Sequence, residues 1–411
     1  MATLSGQGLS TPKPDRHSGD GRRAGAVSSA MGDDVSPVEL LFDLVFVFAL
    51  SQLSHHLLDH VTWIGVSETG TLLAAVFGIW SLTSFGASMP GVSRRAQVSV
   101  MFAVMTLGLF MNGGITNAFE SDPWLFVGPF LTCHAGLALF YLSTATSQLM
   151  RRHAFSMIVW LAVIAALWAV GASASPELRL MWWAGAAVID VIGAWSAHWL
   201  PGQPFRTAEV PFAPAHMIER SRLFLIIALG ETILATGGAV ATVPTTVATV
   251  GAAVLALLCT VALWALYFGG SDRLVTEHSS TTGDPLRAAR LAINGQVVTA
   301  GGLIVLAVGL TLTIQRPLAA SLPAHSMLIF GGPLLYLTAQ LWYLRALTGH
   351  HSRPRLAAIG ALVVACLGSV AFLTLPRMAT LAISTGIMTT LGFQVVRADR
   401  HRAHPRRRLS A

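Results

Sequence analysis

Glu39 and Asp43 stand four residues apart at the head of an apolar run, VELLFDLVFVFALSQLSHH, residues 38 to 56. On a helix they share one face, about 6 Å apart along the axis. Two carboxyls so placed suit proton chemistry, because like charge and burial raise one pKa until that group stays protonated at neutral pH. The alternative is a helix cap, since negative charge is favourable at a helix N-terminus. Glu231, in LFLIIALGETILATGG, has no cationic residue within one turn and follows Gly230, which lets another backbone or a substrate come close. Counted from Arg222 it lies about 13 Å into its helix, near the middle of a bilayer. Asp190 and His134 reach a similar depth in two other apolar runs. A carboxylate there costs about 2.5 to 3.5 kcal/mol on insertion scales, so such residues need a reason. The three form one buried polar belt if their helices face a common centre.

These residues must be positioned by membrane-spanning helices. The chain has 411 residues, 54% hydrophobic and only 11% charged, with a mean hydropathy of +0.64, whereas soluble domains carry about 25% charged residues. The predicted spans are 38 to 58, 70 to 89, 97 to 116, 124 to 146, 154 to 174, 179 to 199, 217 to 240, 245 to 269, 289 to 314, 325 to 346, 355 to 373 and 378 to 396. Each is long enough to cross a hydrocarbon core of about 30 Å as a helix. Strands would have to close as a barrel, and the alternation that requires is absent. The expected fold is therefore an all-α polytopic bundle of about twelve transmembrane helices, in a cell membrane.

Basic residues sort by loop parity. Arg179, Arg316 and Arg377 fall in one set of loops, while Arg94, Arg95, Arg151, Arg152, Arg206, Arg353 and both basic termini fall in the other. Lys and Arg stay on the cytoplasmic side of short loops, so both termini are expected there. The same rule accounts for the net charge of +7 without nucleic acid. Residues 1 to 35, rich in Gly, Ser, Asp and Arg with no apolar h-region, read as a disordered tail. Residues 397 to 411 read as a basic tail able to rest on anionic lipid. Cys133, Cys259 and Cys366 lie in separate spans and form no disulfide or metal spacing.

His216, Glu219, Arg220 and Arg222 cluster at the expected cytoplasmic edge. His216 and Glu219 have a metal-compatible spacing but no second pair to complete a site. Glu219 is better matched to Arg222 at i and i+3, which leaves Arg220 free to face an anion or a headgroup. Of the aromatic residues, Trp80 and Trp195 fall well inside spans, where their faces could stabilise a cation; interfacial anchoring and packing are the ordinary reading of the rest. There is no Walker loop, no G-x-S-x-G elbow and no aspartate-rich metal motif, and neither metal nor cofactor is expected.

SPVELLFDLVFVFALSQLS and HMIERSRLFLIIALGETILATGG resemble the two signature blocks of the bacterial low temperature requirement A (LtrA) family. LWALYFGGSDRL and FGGPLLYLTAQLWYLRAL are similar to weaker blocks, and the resemblance runs over most of residues 36 to 347. The chain departs from the family pattern at Asn294, Gly295 and Gln296, where Tyr-x-His is expected, and in WSLTSFGASMPGVSRR of the second span. The resemblance implies a polytopic membrane protein without specifying a reaction.

Three functions compete. The first is an intramembrane enzyme acting on a lipophilic isoprenoid, since a protonated carboxyl in an aromatic-lined cavity can protonate an epoxide or alkene and shelter the resulting carbocation from water. Some actinobacterial terpenoid-pathway proteins look like this family, which points to terpene or meroterpenoid cyclisation in secondary metabolism. Glu231 or Asp43, with Glu39 beside it, would be the acid, Asp190 its partner and His134 the terminating base. Trp80, Trp195, Arg220 and His216 would contact the substrate. The second function is a proton-coupled transporter, for which two related halves are expected. Only a weak echo joins ELLFDLVFVFALSQ to ERSRLFLIIALGET, and matching broken helices are not evident. The third is a protein whose carboxylates merely lock helices together.

Overall fold

The computed structural model describes residues 35–87, 92–201, 214–269, 285–349, 351–371 and 375–407. The expected tail over residues 1 to 35 lies outside them, save Val35. Twelve helices stand among the described residues: α1 (Pro37–Asp59), α2 (Trp63–Ala87), α3 (Arg94–Gly113), α4 (Pro123–Thr144), α5 (Gln148–Ser173), α6 (Pro176–Trp195), α7 (Pro214–Ala241), α8 (Val247–Phe268), α9 (Pro285–Gln315), α10 (Pro323–Thr348), α11 (Arg353–Ala371) and α12 (Arg377–Arg407). All twelve are long and apolar enough to cross a membrane. Their starts are written locally. Pro occupies the first turn of α1, α4, α6 and α10, where its missing N–H costs nothing. Asp122, Ser147 and Thr246 accept from backbone N–H groups of α4, α5 and α8. The start of α2 and the end of α12 differ most from expectation. α2 begins at Trp63 rather than 70, its polar first turns held by Glu68 against His56 at 3.1 Å. α12 continues to Arg407 through the basic segment that hydropathy sets apart as a tail.

The first six helices and the last six share a neighbour pattern. In the first half α1 packs on α2 and α3, α2 on α3 and α6, α3 on α4, α4 on α5 and α5 on α6; in the second, α7 packs on α8 and α9, α8 on α9 and α12, α9 on α10, α10 on α11 and α11 on α12. Polar contacts repeat as well. From the fourth helix of each half a tyrosine hydroxyl donates to a carbonyl of the second: Tyr141 to Leu82 at 2.7 Å, Tyr336 to Leu263 at 2.9 Å. From the start of each sixth helix an arginine donates to carbonyls at the end of the third or just beyond: Arg179 to Ala118 and Glu120, Arg377 to Leu312. The fourth helices both carry an internal proline, Pro129 and Pro333. Neither helix is broken, but Pro333 frees the Ile329 carbonyl, which accepts from Ser384 of α12 instead. The repeat is thus plainer in structure than the weak sequence echo suggests.

The halves meet along α1 and α7, which run parallel: Glu39 near the start of α1 approaches Arg220 near the start of α7, and Ser51 further along α1 lies beside Glu231 further along α7. The face where both begin is called here the near face, and its opposite the far face. α9 crosses the seam to pack on α1 and α2 as well as on α7 and α10. It meets α10 backbone to backbone, since a Cβ on Gly302 would lie 2.7 Å from the Gly332 carbonyl. Only glycine permits that approach.

Candidate functional site at the seam of the two halves

Near the near face the seam is charged and closed. Glu39 Oε2 accepts from the Ser36 N–H (2.8 Å) and hydroxyl (3.0 Å), which is the cap reading. Its other oxygen faces across the seam, 3.4 Å from His216 Nε2 and 3.7 Å from Arg220 Nη1. Asp43, one turn deeper and fully buried, accepts from Arg220 Nη2 and from the Trp80 indole N–H, both at 2.8 Å. The guanidinium is itself fully buried, 5.4 Å from the Phe42 ring centre and 5.8 Å from that of Trp80. Arg220 is therefore not free for an anion or headgroup, contrary to the sequence expectation. Two buried carboxylates one turn apart need a countercharge, and α7 supplies it from the other half. Glu219 does pair with Arg222, at 2.7 Å, as their spacing predicts.

Toward the far face the seam is open and almost uncharged. Glu231, 4% exposed, lines a cleft between α1, α7 and α9 with Ser51, Ser54, His55, Thr311 and Gln315. The Ser51 side chain lies beside the Glu231 carboxyl. The Ser54 hydroxyl, in a residue only 6% exposed, has no hydrogen-bond partner among the described residues. Ser51, Ser54, His55 and Leu58 recur at three- and four-residue steps. This polar stripe in ALSQLSHHLL was the signal the sequence reading passed over.

Asp190 and His134 belong to other neighbourhoods in the first half. Asp190 points at α2, where a Cβ on Gly78 would lie 2.8 Å from its Oδ2. His134 is buried, with Nδ1 3.1 Å from the Phe130 carbonyl and its ring 4.3 Å from that of Phe130. Two histidines not singled out from sequence stand near it. His153 and His198, with ring centres 5.9 Å apart, line a cavity with Tyr141, Met157, Phe85 and Asn294. His198 follows α6 in the left-handed region (φ +54°), and burial, together with His153 and His134 nearby, pushes its imidazole down to about 3. Trp195, expected deep in a span, is the last residue of α6. It is half-exposed, with its ring 5.9 Å from that of Trp342 and its carbonyl bound by Arg290. That helix stops four residues short of the apolar run because the chain turns at Ala197 and His198.

The segment that departs from the family pattern sits between two cavities. Asn294 faces the histidine-lined one, while Gly295 and Gln296 face another, lined also by Arg222, Thr299 and Gln340. Among the described residues no group of three His, Cys, Asp or Glu side chains is placed to hold a metal ion.

Twelve apolar helices with ionisable side chains inside the bundle define a multi-pass membrane protein. The family described as bacterial low temperature requirement A protein (LtrA) matches residues 34–392, and the chain belongs to it. It is similar to "Uncharacterized protein RA0937" of Rhizobium meliloti (strain 1021), at 29% identity over 313 residues, 75% of this chain and 76% of that one. No solved structure matches.

Proposed function

We propose that the protein is a proton-coupled transporter of the cell membrane, with its near face in the cytoplasm. The observation that carries this reading is the seam itself: two six-helix halves of one packing pattern meet there, sealed by buried charge at one end and open at the other. Parallel halves related about an axis normal to the membrane, with ionisable groups between them, are the architecture on which rocking carriers are built. In this reading the Asp43–Arg220 pair is the near-face gate, and Glu231 holds the transported proton in a far-face-open state. Rocking the halves would part the charged pair and close the cleft beside Glu231, then reverse. A reconstituted protein should carry protons across a liposome membrane when its co-substrate is added. Glu231→Gln should abolish that movement while leaving the protein folded, and unchanged proton movement in the variant would refute the assignment.

A second reading keeps acid-initiated cyclisation of a lipophilic isoprenoid. It is favoured by the cavity of Phe85, Tyr141, Met157, His153 and His198, partly aromatic with two histidines and Arg290 at its wall. Its test uses membranes incubated with epoxidised prenylated aromatic compounds. A new isomer of unchanged mass that disappears in His198→Gln, whose side chain lines that cavity, and survives Glu231→Gln would favour the enzyme over the carrier.

A further inference from the structure

We propose that the far-face cleft binds an organic ammonium ion, a protonated amine with an apolar body, in exchange for the proton on Glu231. The inference takes its physiological meaning from the carrier reading, and it would make that carrier an amine–proton exchanger.

Charge is the first argument. Glu231 is the one carboxylate among the described lining residues, and there is no Lys or Arg among them. The nearest arginine along α7, Arg222, is nine residues away, about 13 Å. Besides Glu231, the titratable group facing the cleft is His55 from α1, exposed at the rim; α9 contributes Thr311 and Gln315, which do not titrate. The cleft therefore attracts cations and repels anions.

Hydrogen bonding narrows the class to cations bearing N–H. The Thr311 hydroxyl is already spent on the Ala307 carbonyl at 3.0 Å, and Ser51 stands beside Glu231. The Ser54 oxygen is nine-tenths buried and has no partner among the described residues. A buried hydroxyl without a partner is costly. An ammonium group seated on Glu231 offers more than one N–H, one for the carboxylate and another for Ser54. Leu58, Leu234 and Val308 on the same walls receive the hydrocarbon part.

The third argument is exclusivity. One carboxylate neutralises one positive charge, and a cation entering while the carboxyl keeps its proton would remain uncompensated in a medium where charge is expensive. Binding of the amine thus releases one proton from Glu231 to water, and the two ligands occupy the site in turn.

The test is calorimetric titration of the purified full-length protein with 2-phenylethylamine, repeated in buffers of different ionisation enthalpy so that released protons are counted. Expected are release of about one proton per amine bound below the carboxyl's own titration, and affinity that weakens about tenfold per pH unit there. Glu231→Gln should lose binding, and Ser54→Ala should weaken it about tenfold. Tetraphenylphosphonium, a cation without N–H, should bind more weakly than the amine and gain nothing from Ser54, its affinity being the same for the wild type and Ser54→Ala. Absence of amine binding from mildly acid to mildly alkaline pH would overturn the proposal. So would binding without proton release, or unchanged binding in a Glu231→Gln protein with the wild-type melting curve. The two readings fail separately: amine binding with proton release but no proton movement in liposomes sinks the carrier alone, whereas proton movement through Glu231 without amine binding sinks this inference alone.

Discussion

The two ends of the α1–α7 seam treat a carboxylate in opposite ways. At the near face Asp43 Oδ1 accepts from a guanidinium and an indole N–H, each at 2.8 Å, with aromatic rings over the cation, while Oδ2 has no hydrogen-bond partner among the described residues. At the far face Glu231 has a serine hydroxyl and an open cleft. Both residues are buried, so burial alone does not separate structural from working groups. What separates them is whether a countercharge answers the carboxyl: α7 brings a guanidinium to Asp43, and no Lys or Arg is among the described residues lining the cleft at Glu231. The paired group joins the two halves, while the under-paired one is left able to change its state.

The contrast can be broken by substitution. Arg220→Met should have the largest effect, because it strands two buried carboxylates; a loss of about 3 to 5 kcal/mol is expected, read as a steep fall in thermal midpoint in detergent. Adding Asp43→Asn to that variant should recover much of the loss, and a double variant no more stable than the single would show that the two side chains are not coupled. The histidine-lined cavity supplies a third environment, in which a base is kept neutral by burial. His198 lies well below the ordinary imidazole range, so the unfolded chain binds a proton there that the folded one refuses. Its contribution to stability is intact above about pH 6.5 and declines as pH falls toward the folded value, by about 2 kcal/mol between pH 7 and pH 5. The melting temperature of His198→Gln should accordingly vary less with pH over that window than that of the wild type.

Smaller effects sharpen the other side. Ser51→Ala removes the hydroxyl beside Glu231 and should cost no more than about 1 kcal/mol. Glu231→Gln should change stability least, within about 0.5 kcal/mol, because an amide preserves the shape and no cation is left behind. A large destabilisation in that variant would move Glu231 into the same structural class as Asp43.

The spans were legible in the sequence because lipid leaves a helix no alternative, and apolar runs record that constraint directly. Local features were legible too: a cap role for Glu39 and the Glu219–Arg222 pair need only helical spacing. The partnership of Arg220 with Asp43 joins residues 177 apart in the chain, and no periodicity in either helix encodes it. Trp195 was misplaced because an apolar run outlasts its helix when the chain turns in the left-handed region. The repeat was hidden for a different reason. Lipid-facing positions accept almost any apolar residue, so sequence likeness between halves erodes there while the contacts that position helices persist. Tyr141 and Tyr336, Arg179 and Arg377, and Pro129 and Pro333 keep their places among neighbours that have changed.

Arg179 and Arg377 also qualify the loop-charge argument, since each is tied to main-chain carbonyls at a helix end. The even number of spans in each half has its own consequence for how such a chain can be built. A chain severed between α6 and α7 would yield two pieces, each entering and leaving the bilayer on the same side and each closing its own ring of six neighbours. The pieces could be made from separate genes and still find one another through Arg220 and Asp43, as two subunits of a dimer that the intact polypeptide has joined end to end.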